Sequence, residues 1–271
     1  MYLHGHQIVN RLHSLVIQGN KKISYFSGGK IYSLAMRSRL YAVISIPLFG
    51  ILYCYTTVGV FIVLILTLLH LKRPVRFLFQ MWAKSVFIIM GKKFRVFGKE
   101  NIKKGERYIL VANHASLFDI VAITSFYPGI SWFGHERLLK VPLFSSLLKI
   151  MDYVPFKEPN YRNTKQMINQ LIYKSKYQSV AIFPEGTRTL NGKINQFYRG
   201  FIYLFRTRDI EILPVTLNGF YKLKPKNRFY INFDSKLDVV IHKPIRREEL
   251  IEKNDYEILE AVKTVIESAY H

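Results

Sequence analysis

The chain has 271 residues, 40 Lys and Arg against 18 Asp and Glu, a net charge of +22 and 49% hydrophobic residues. That length buries a substantial core and excludes a disulfide-stapled miniature. One cysteine, Cys54, excludes an internal disulfide and any multi-cysteine metal centre.

The charge is unevenly placed. Residues 1–99 carry 14 Lys and Arg and not one acid, whereas residues 100–271 have an ordinary mixed surface with a net charge of +8. Residues 1–40 read as a basic N-terminal extension. His4, His6 and His13 there lack the acidic or cysteine neighbours of a metal site. Residues 41–91 read as membrane-attachment helices. Tyr41–Leu71 is a run of 31 residues without Asp, Glu, Lys or Arg; as one helix it extends about 46 Å, more than the roughly 30 Å of a bilayer core. Its start at residue 41 lies beyond the window of a signal peptide. Two membrane arrangements fit, one tilted span or a re-entrant hairpin breaking at Pro47, Gly50, Thr56, Thr57 or Gly59, the alternative being a buried soluble helix, which rarely runs this long without charge. Basic residues flank the run on both sides, and the positive-inside rule then draws both flanks to the cytoplasmic face. The expected location is the cytoplasmic face of the inner or plasma membrane, against anionic phospholipid. In the next helix Arg73, Arg76, Gln80 and Lys84 form one polar stripe, with Phe77, Phe79, Met81, Trp82 and Phe87 on the rest. Such a helix suits the headgroup plane, the alternative being a core helix with a solvated stripe.

Residues 92–271 read as one α/β domain, with a mostly parallel or mixed sheet flanked by helices. Strands are expected at Phe94–Phe97, Tyr108–Ala112, Ile130–Phe133, Ser179–Phe183, Ile210–Leu217, Phe229–Phe233 and Leu237–Ile241. Helices are expected at Leu117–Phe126, Glu136–Met151, Tyr161–Lys176, Gln196–Arg206 and Tyr256–Ala269, the last capped by Asn254 or Asp255.

Two polar clusters each follow an apolar strand, where open α/β sheets place their sites. In Asn113-His114-Ala115-Ser116-Leu117-Phe118-Asp119, a turn entering a helix can bring the Asp119 carboxylate to the His114 imidazole. That makes a general base with an orienting partner, or alternatively a helix cap beside a satisfied polar histidine. In Phe183-Pro184-Glu185-Gly186-Thr187-Arg188, Gly186 allows close backbone approach and Arg188 supplies a fork for an anion. The alternative is a surface loop whose Glu and Arg pair. Lys222, Lys224, Lys226 and Arg228 around Pro225 read as a solvated loop.

The ordered pair His114-x4-Asp119 and Phe183-Pro184-Glu185-Gly186-Thr187-Arg188 resembles the signature of glycerolipid acyltransferases of the 1-acylglycerol-3-phosphate acyltransferase family. The resemblance runs through about residues 94–220 and includes Phe197-Tyr198-Arg199-Gly200 and Ile212-Leu213-Pro214-Val215. It implies an O-acyltransferase in phospholipid biosynthesis. His114 would be the catalytic base, Asp119 its partner, and Lys157, Glu185, Gly186, Thr187, Arg188 and Arg199 would hold the acceptor. It implies no metal or redox cofactor, an acyl-CoA or acyl-acyl-carrier-protein donor and membrane lipids as partners; no nucleic acid is expected, because no nucleic-acid motif appears and the charge is richest around the apolar segment. The family's second motif usually ends in arginine. Lys157 keeps that charge but loses the bidentate fork, which leaves other acceptors open: glycerol 3-phosphate, another lysophospholipid or a lyso-aminolipid. The non-enzymatic alternative is a basic, membrane-bound recruiting protein, supported by net charge alone. Acyl chain length, the choice of donor and oligomeric state are not legible in the sequence.

Overall fold

The structure is a computed structural model that describes residues 5–140, 145, 148–149, 152–156 and 161–271. Helix α1 runs unbroken from Gly5 to Leu68, with Pro47 inside it. None of the expected break points ends it. Proline removes its own N–H from the ladder, whereas leaving the helix would strand many more backbone groups among apolar side chains. Thr57 keeps its hydroxyl within the helix, donating to the Tyr53 carbonyl at 2.9 Å. The chain reverses just beyond, where His70 adopts φ 58°, and α2 follows at Lys72–Ile89. Met36–Leu68, 33 residues of mean hydropathy 2.3, is long and apolar enough to cross a membrane.

One stripe of α1 is covered by the rest of the protein. Ser45, Leu48 and Leu52 are buried on the domain, and the Tyr41 ring meets Phe233 edge-on at 5.4 Å. Further along, Val60 and Val63 pack on Val75 and Phe79 of α2. The two helices are also joined by polar contacts: Trp82 Nε1 donates to Thr56 Oγ1 at 3.1 Å, and the Tyr55 and Ser85 hydroxyls lie 2.6 Å apart. The far side of α2 enters the core through Ala83, Val86, Phe87 and Met90, while Phe77, Met81 and Ile88 stay exposed.

Seven strands form one sheet in the order β1-β7-β6-β2-β5-β3-β4. They are β1 Phe94–Phe97, β2 Tyr108–Ala112, β3 Ser131–His135, β4 Val154–Phe156, β5 Val180–Ile182, β6 Glu211–Asn218 and β7 Leu237–Ile241. The pairs β6–β2, β2–β5, β5–β3 and β3–β4 are parallel, and so is β1–β7; the β6–β7 junction is antiparallel. Strand β2 is buried at every position, as a central strand covered on both faces must be. Its alternate residues feed two cores. Tyr108, Leu110 and Ala112 face α2 and α3 (Phe118–Phe126). Ile109 and Val111 face α4 (Tyr161–Ser175), α5 (Gly200–Thr207) and the C-terminal helix α8 (Asp255–Ser268). Short helices α6 (Phe220–Leu223) and α7 (Arg247–Leu250) lie between α5 and α8. Asn254 caps α8 in a reciprocal box with Glu257.

Three expectations are corrected. Phe229–Phe233 is a loop, because its backbone bonds elsewhere: the Ile231 amide donates to Ser45 Oγ and that of Asn232 to the Leu223 carbonyl, both at 2.9 Å. Its apolar residues cover α1 instead of pairing in the sheet. Strand β4 was not expected, being three residues with Pro155 at its centre, a composition tolerated at a sheet edge. Of the helix expected at Glu136–Met151, Glu136–Lys140 forms a 3-10 turn, and most of the remainder lies outside the described residues.

Candidate active site

The parallel strands β2 and β5 are neighbours, so the two polar clusters leave the same edge of the sheet side by side. Directly after β2 the backbone turns into α3 and carries the Asp119 carboxylate back to His114. Asp119 Oδ2 accepts from His114 Nδ1 at 2.8 Å, from the Ala115 amide at 2.7 Å and from the Ser116 amide at 2.8 Å. The carboxylate is fully buried, and its Oδ1 has no hydrogen-bond partner among the described residues. Holding Nδ1 leaves Nε2 as the ring nitrogen that faces the cavity described below. The imidazole lies flat against Phe183, 4.0 Å between centroids, and Phe183 in turn stacks on Trp132.

Glu185 joins the two clusters. Its Oε1 accepts from the His114 amide at 2.6 Å and its Oε2 from the Asn195 amide at 2.9 Å. Burial pushes its carboxyl up to about 7, against the pull of those two amides. The Thr189 amide closes the junction by donating to the His114 carbonyl at 2.9 Å. Gly186 turns the loop with φ 67°, a conformation that costs glycine little. Tyr221 and Tyr270 then pin the loop from outside, donating to the Leu190 and Gly192 carbonyls.

A cavity of about 750 Å³ opens at this junction. His114, Glu185, Gly186, Thr187, Arg188 and Arg199 all line it. Its other wall is apolar and includes Ile120, Trp132, Phe133, Phe156 and Met167. Burial draws the Arg188 guanidinium below its usual value, with Asp119 opposing, and Arg188 makes no hydrogen bond or ion pair among the described residues. Of the expected site residues, then, Asp119 stands behind the cavity and six line it; Lys157 lies outside the described residues. Lys226 also lines the cavity, which the reading of its loop as merely solvated missed. Nothing in the run of basic residues around Pro225 shows that the chain folds back over the catalytic turn.

The arrangement offers a carboxylate-backed imidazole at the junction of an apolar chamber and a cationic mouth. Residues 93–218 match the family model described as Acyltransferase. Residues 93–218 belong to the acyltransferase family. The match spans the strands and loops that carry every site residue expected from the sequence; Lys226 lies beyond it. The chain is 28% identical over 171 residues to the chloroplastic 1-acyl-sn-glycerol-3-phosphate acyltransferase LPAT1 of Arabidopsis thaliana, covering 62% of this chain and 48% of that protein. It is 30% identical over 159 residues to the 1-acyl-sn-glycerol-3-phosphate acyltransferase of Borreliella burgdorferi, covering 57% and 61%. The chain thus spans about half the length of the plant relative. The crystal structure of the 1-acyl-sn-glycerophosphate acyltransferase PlsC from Thermotoga maritima superposes with a TM-score of 0.75 at 24% identity, over 86% of this chain and 96% of that one. The acyltransferase domain and its helical N-terminus share that fold.

Proposed function

We propose that the protein transfers a fatty acyl group from an acyl thioester to the 2-hydroxyl of 1-acylglycerol 3-phosphate, giving phosphatidate at the membrane. The observation that carries this reading is the His114–Asp119 pair, set with Arg188 on a largely apolar cavity. The names of the relatives support the same acceptor.

His114 Nε2 takes the proton of the acceptor hydroxyl as its oxygen attacks the thioester carbonyl. Asp119 holds Nδ1–H and stabilises the imidazolium. The tetrahedral intermediate collapses with cleavage of the C–S bond, and the imidazolium returns its proton to the departing thiolate. The acceptor oxygen takes the place of an enzyme nucleophile, so no acyl-enzyme forms and the reaction draws on no metal or redox cofactor. Buried Ser116 is not a nucleophile, since its hydroxyl donates to the Lys224 carbonyl at 2.7 Å. The apolar wall takes acyl chain and Arg188 takes phosphate. Either acyl-CoA or acyl-acyl-carrier protein fits as donor. The basic residues that follow the apolar run, Lys72, Arg73, Arg76 and Lys84, favour the anionic cytoplasmic face.

The test is thiol release from acyl-CoA by detergent-solubilised protein offered lysophosphatidate, glycerol 3-phosphate and monoacylglycerol side by side. Turnover is expected with lysophosphatidate. It should fall by roughly 10²–10⁴-fold in His114→Ala and Asp119→Asn, the latter because an amide facing Nδ1 selects the wrong tautomer. Wild-type turnover in His114→Ala would end the mechanism, and turnover confined to monoacylglycerol would end the assignment of the acceptor.

A further inference from the structure

Beyond His114, Arg188 and Arg199, the cavity lining includes Lys226 from a third segment, residues 224–230, which follows α6. Its course is fixed by Arg228, whose guanidinium donates to the carbonyls of Lys222, Leu223 and Tyr230 at 2.5, 2.9 and 3.3 Å and lies 4.8 Å over the Tyr230 ring. Arg228 is therefore occupied in shaping the loop. The loop is also tied to the catalytic turn, because the Ser116 hydroxyl, two residues from His114, donates to the Lys224 carbonyl. Lys224 is half-buried and spends one donor on the Arg228 carbonyl at 2.8 Å. Burial draws its ammonium below the usual value, and Arg188 and Arg228 push it further the same way. Lys226 is exposed at the cavity wall and makes no ion pair among the described residues.

Like charges gathered at one partly buried place repel and lose solvation, so the arrangement is stable chiefly when an anion enters. The two carboxylates nearby cannot serve: Asp119 lies behind His114, and both oxygens of Glu185 are on backbone amides. Resting on the proposed reaction, we propose that Lys224 and Lys226 complete, with Arg188, the subsite for the phosphomonoester of the acyl acceptor. The chemistry of the two substrates selects the acceptor. Its phosphate is carried on the carbon next to the one bearing the hydroxyl that His114 must reach, so its cations must come from chain adjoining the catalytic turn, and the Ser116–Lys224 carbonyl bond ties the backbone of this loop to that turn. The phosphates of acyl-CoA are separated from the thioester by the whole pantetheine arm.

Steady-state acylation would be measured on the full chain and on Lys224→Gln, Lys226→Gln, the double variant and Lys226→Arg. Lysophosphatidate, monoacylglycerol and acyl-CoA would each be varied in turn. Relative to kcat/KM for monoacylglycerol, that for lysophosphatidate should fall about tenfold in each glutamine variant and further in the double variant, as expected for loss of a charge-assisted contact. KM for acyl-CoA should hold, and Lys226→Arg should recover most of the loss. A rise in acyl-CoA KM instead would give these cations to the donor; equal loss on both acceptors would show disturbance of the base or the fold. Either result overturns the subsite.

Calorimetric binding of glycerol 3-phosphate to His114→Ala protein, with and without the lysine substitutions, gives a readout independent of turnover. Affinity should drop about tenfold without either lysine, and unchanged affinity would overturn the proposal. If the parent acylates only monoacylglycerol, the acceptor assignment fails and the acceptor-phosphate subsite fails with it, even where this binding depends on the lysines. Turnover of lysophosphatidate indifferent to both lysines would remove the subsite and leave the reaction.

Discussion

Glu185 illustrates what a motif conceals at the scale of one residue. In sequence it stands among the expected acceptor ligands, beside Gly186, Thr187 and Arg188. In the structure its two oxygens are taken by the amides of His114 and Asn195, so its chemistry is that of a clamp between the base and the Arg188 loop. The His114–Asp119 contact was legible because the two residues are five apart and a helix start brings them together. The Glu185–His114 contact joins residues 71 apart in the chain, and only the adjacency of β2 and β5 creates it. The carboxyl is raised from 4.5 to about 7, chiefly by burial. Folding therefore binds a proton in that window: the stability it contributes is complete below about pH 4.5 and is lost as pH rises through about 7. The shift corresponds to roughly 3 kcal/mol. Glu185→Gln has nothing to titrate there. Melting curves in detergent from about pH 5 to 8 should show the parent losing stability relative to the variant as pH rises. Parallel profiles would mean that the carboxyl is ionised throughout.

Among the elements, α2 connects the membrane-facing part to the chemistry. Sequence reading identified its polar stripe and left two settings open, the headgroup plane and the core. The structure gives the helix a side to each neighbour. Phe87 is 2% exposed and meets the rings of Phe94, Phe118 and Phe220 at 4.7, 6.2 and 6.4 Å. Phe118 opens α3, the helix that carries Asp119, so α2 supports the catalytic turn from below. Phe87→Ala should cost about 3–5 kcal/mol through lost burial and a cavity, seen as a lower melting temperature in detergent. Activity should fall because the turn behind it loosens; an unchanged melting temperature would show that α2 is not part of the folded core. Short apolar runs located six of the strands to within two residues, because buried parallel strands are nearly pure apolar runs. The same signal misled at Phe229–Phe233, where the apolar residues reflect contact with α1. Local pattern reports which side is buried, and cannot report what buries it.

At the scale of the molecule, the acid-free N-terminal third and the ordinary surface of the remainder mark two environments. The side chains of α1 divide accordingly. Ser45, Leu48, Leu52, Val60 and Val63 are covered by protein, whereas Val43, Ile46, Ile51, Val58, Phe61 and Ile65 are exposed. These six alone are too many apolar side chains for a stretch facing water. Transfer of each from water to lipid contributes about 1.5–3 kcal/mol, on the order of ten in total. Basic residues near an anionic surface add roughly 1 kcal/mol each, but that part vanishes as salt shortens the screening length to about 3 Å at 1 M. The two sources therefore separate cleanly. Membranes carrying the protein, washed in about 1 M salt, should retain it, and detergent should release it. A Phe61→Lys, Ile65→Lys variant should be held less firmly under the same wash, with charge added and apolar contact removed. Release of the parent by salt alone would make the attachment electrostatic, and the exposed stripe of α1 would then face a protein partner and not lipid.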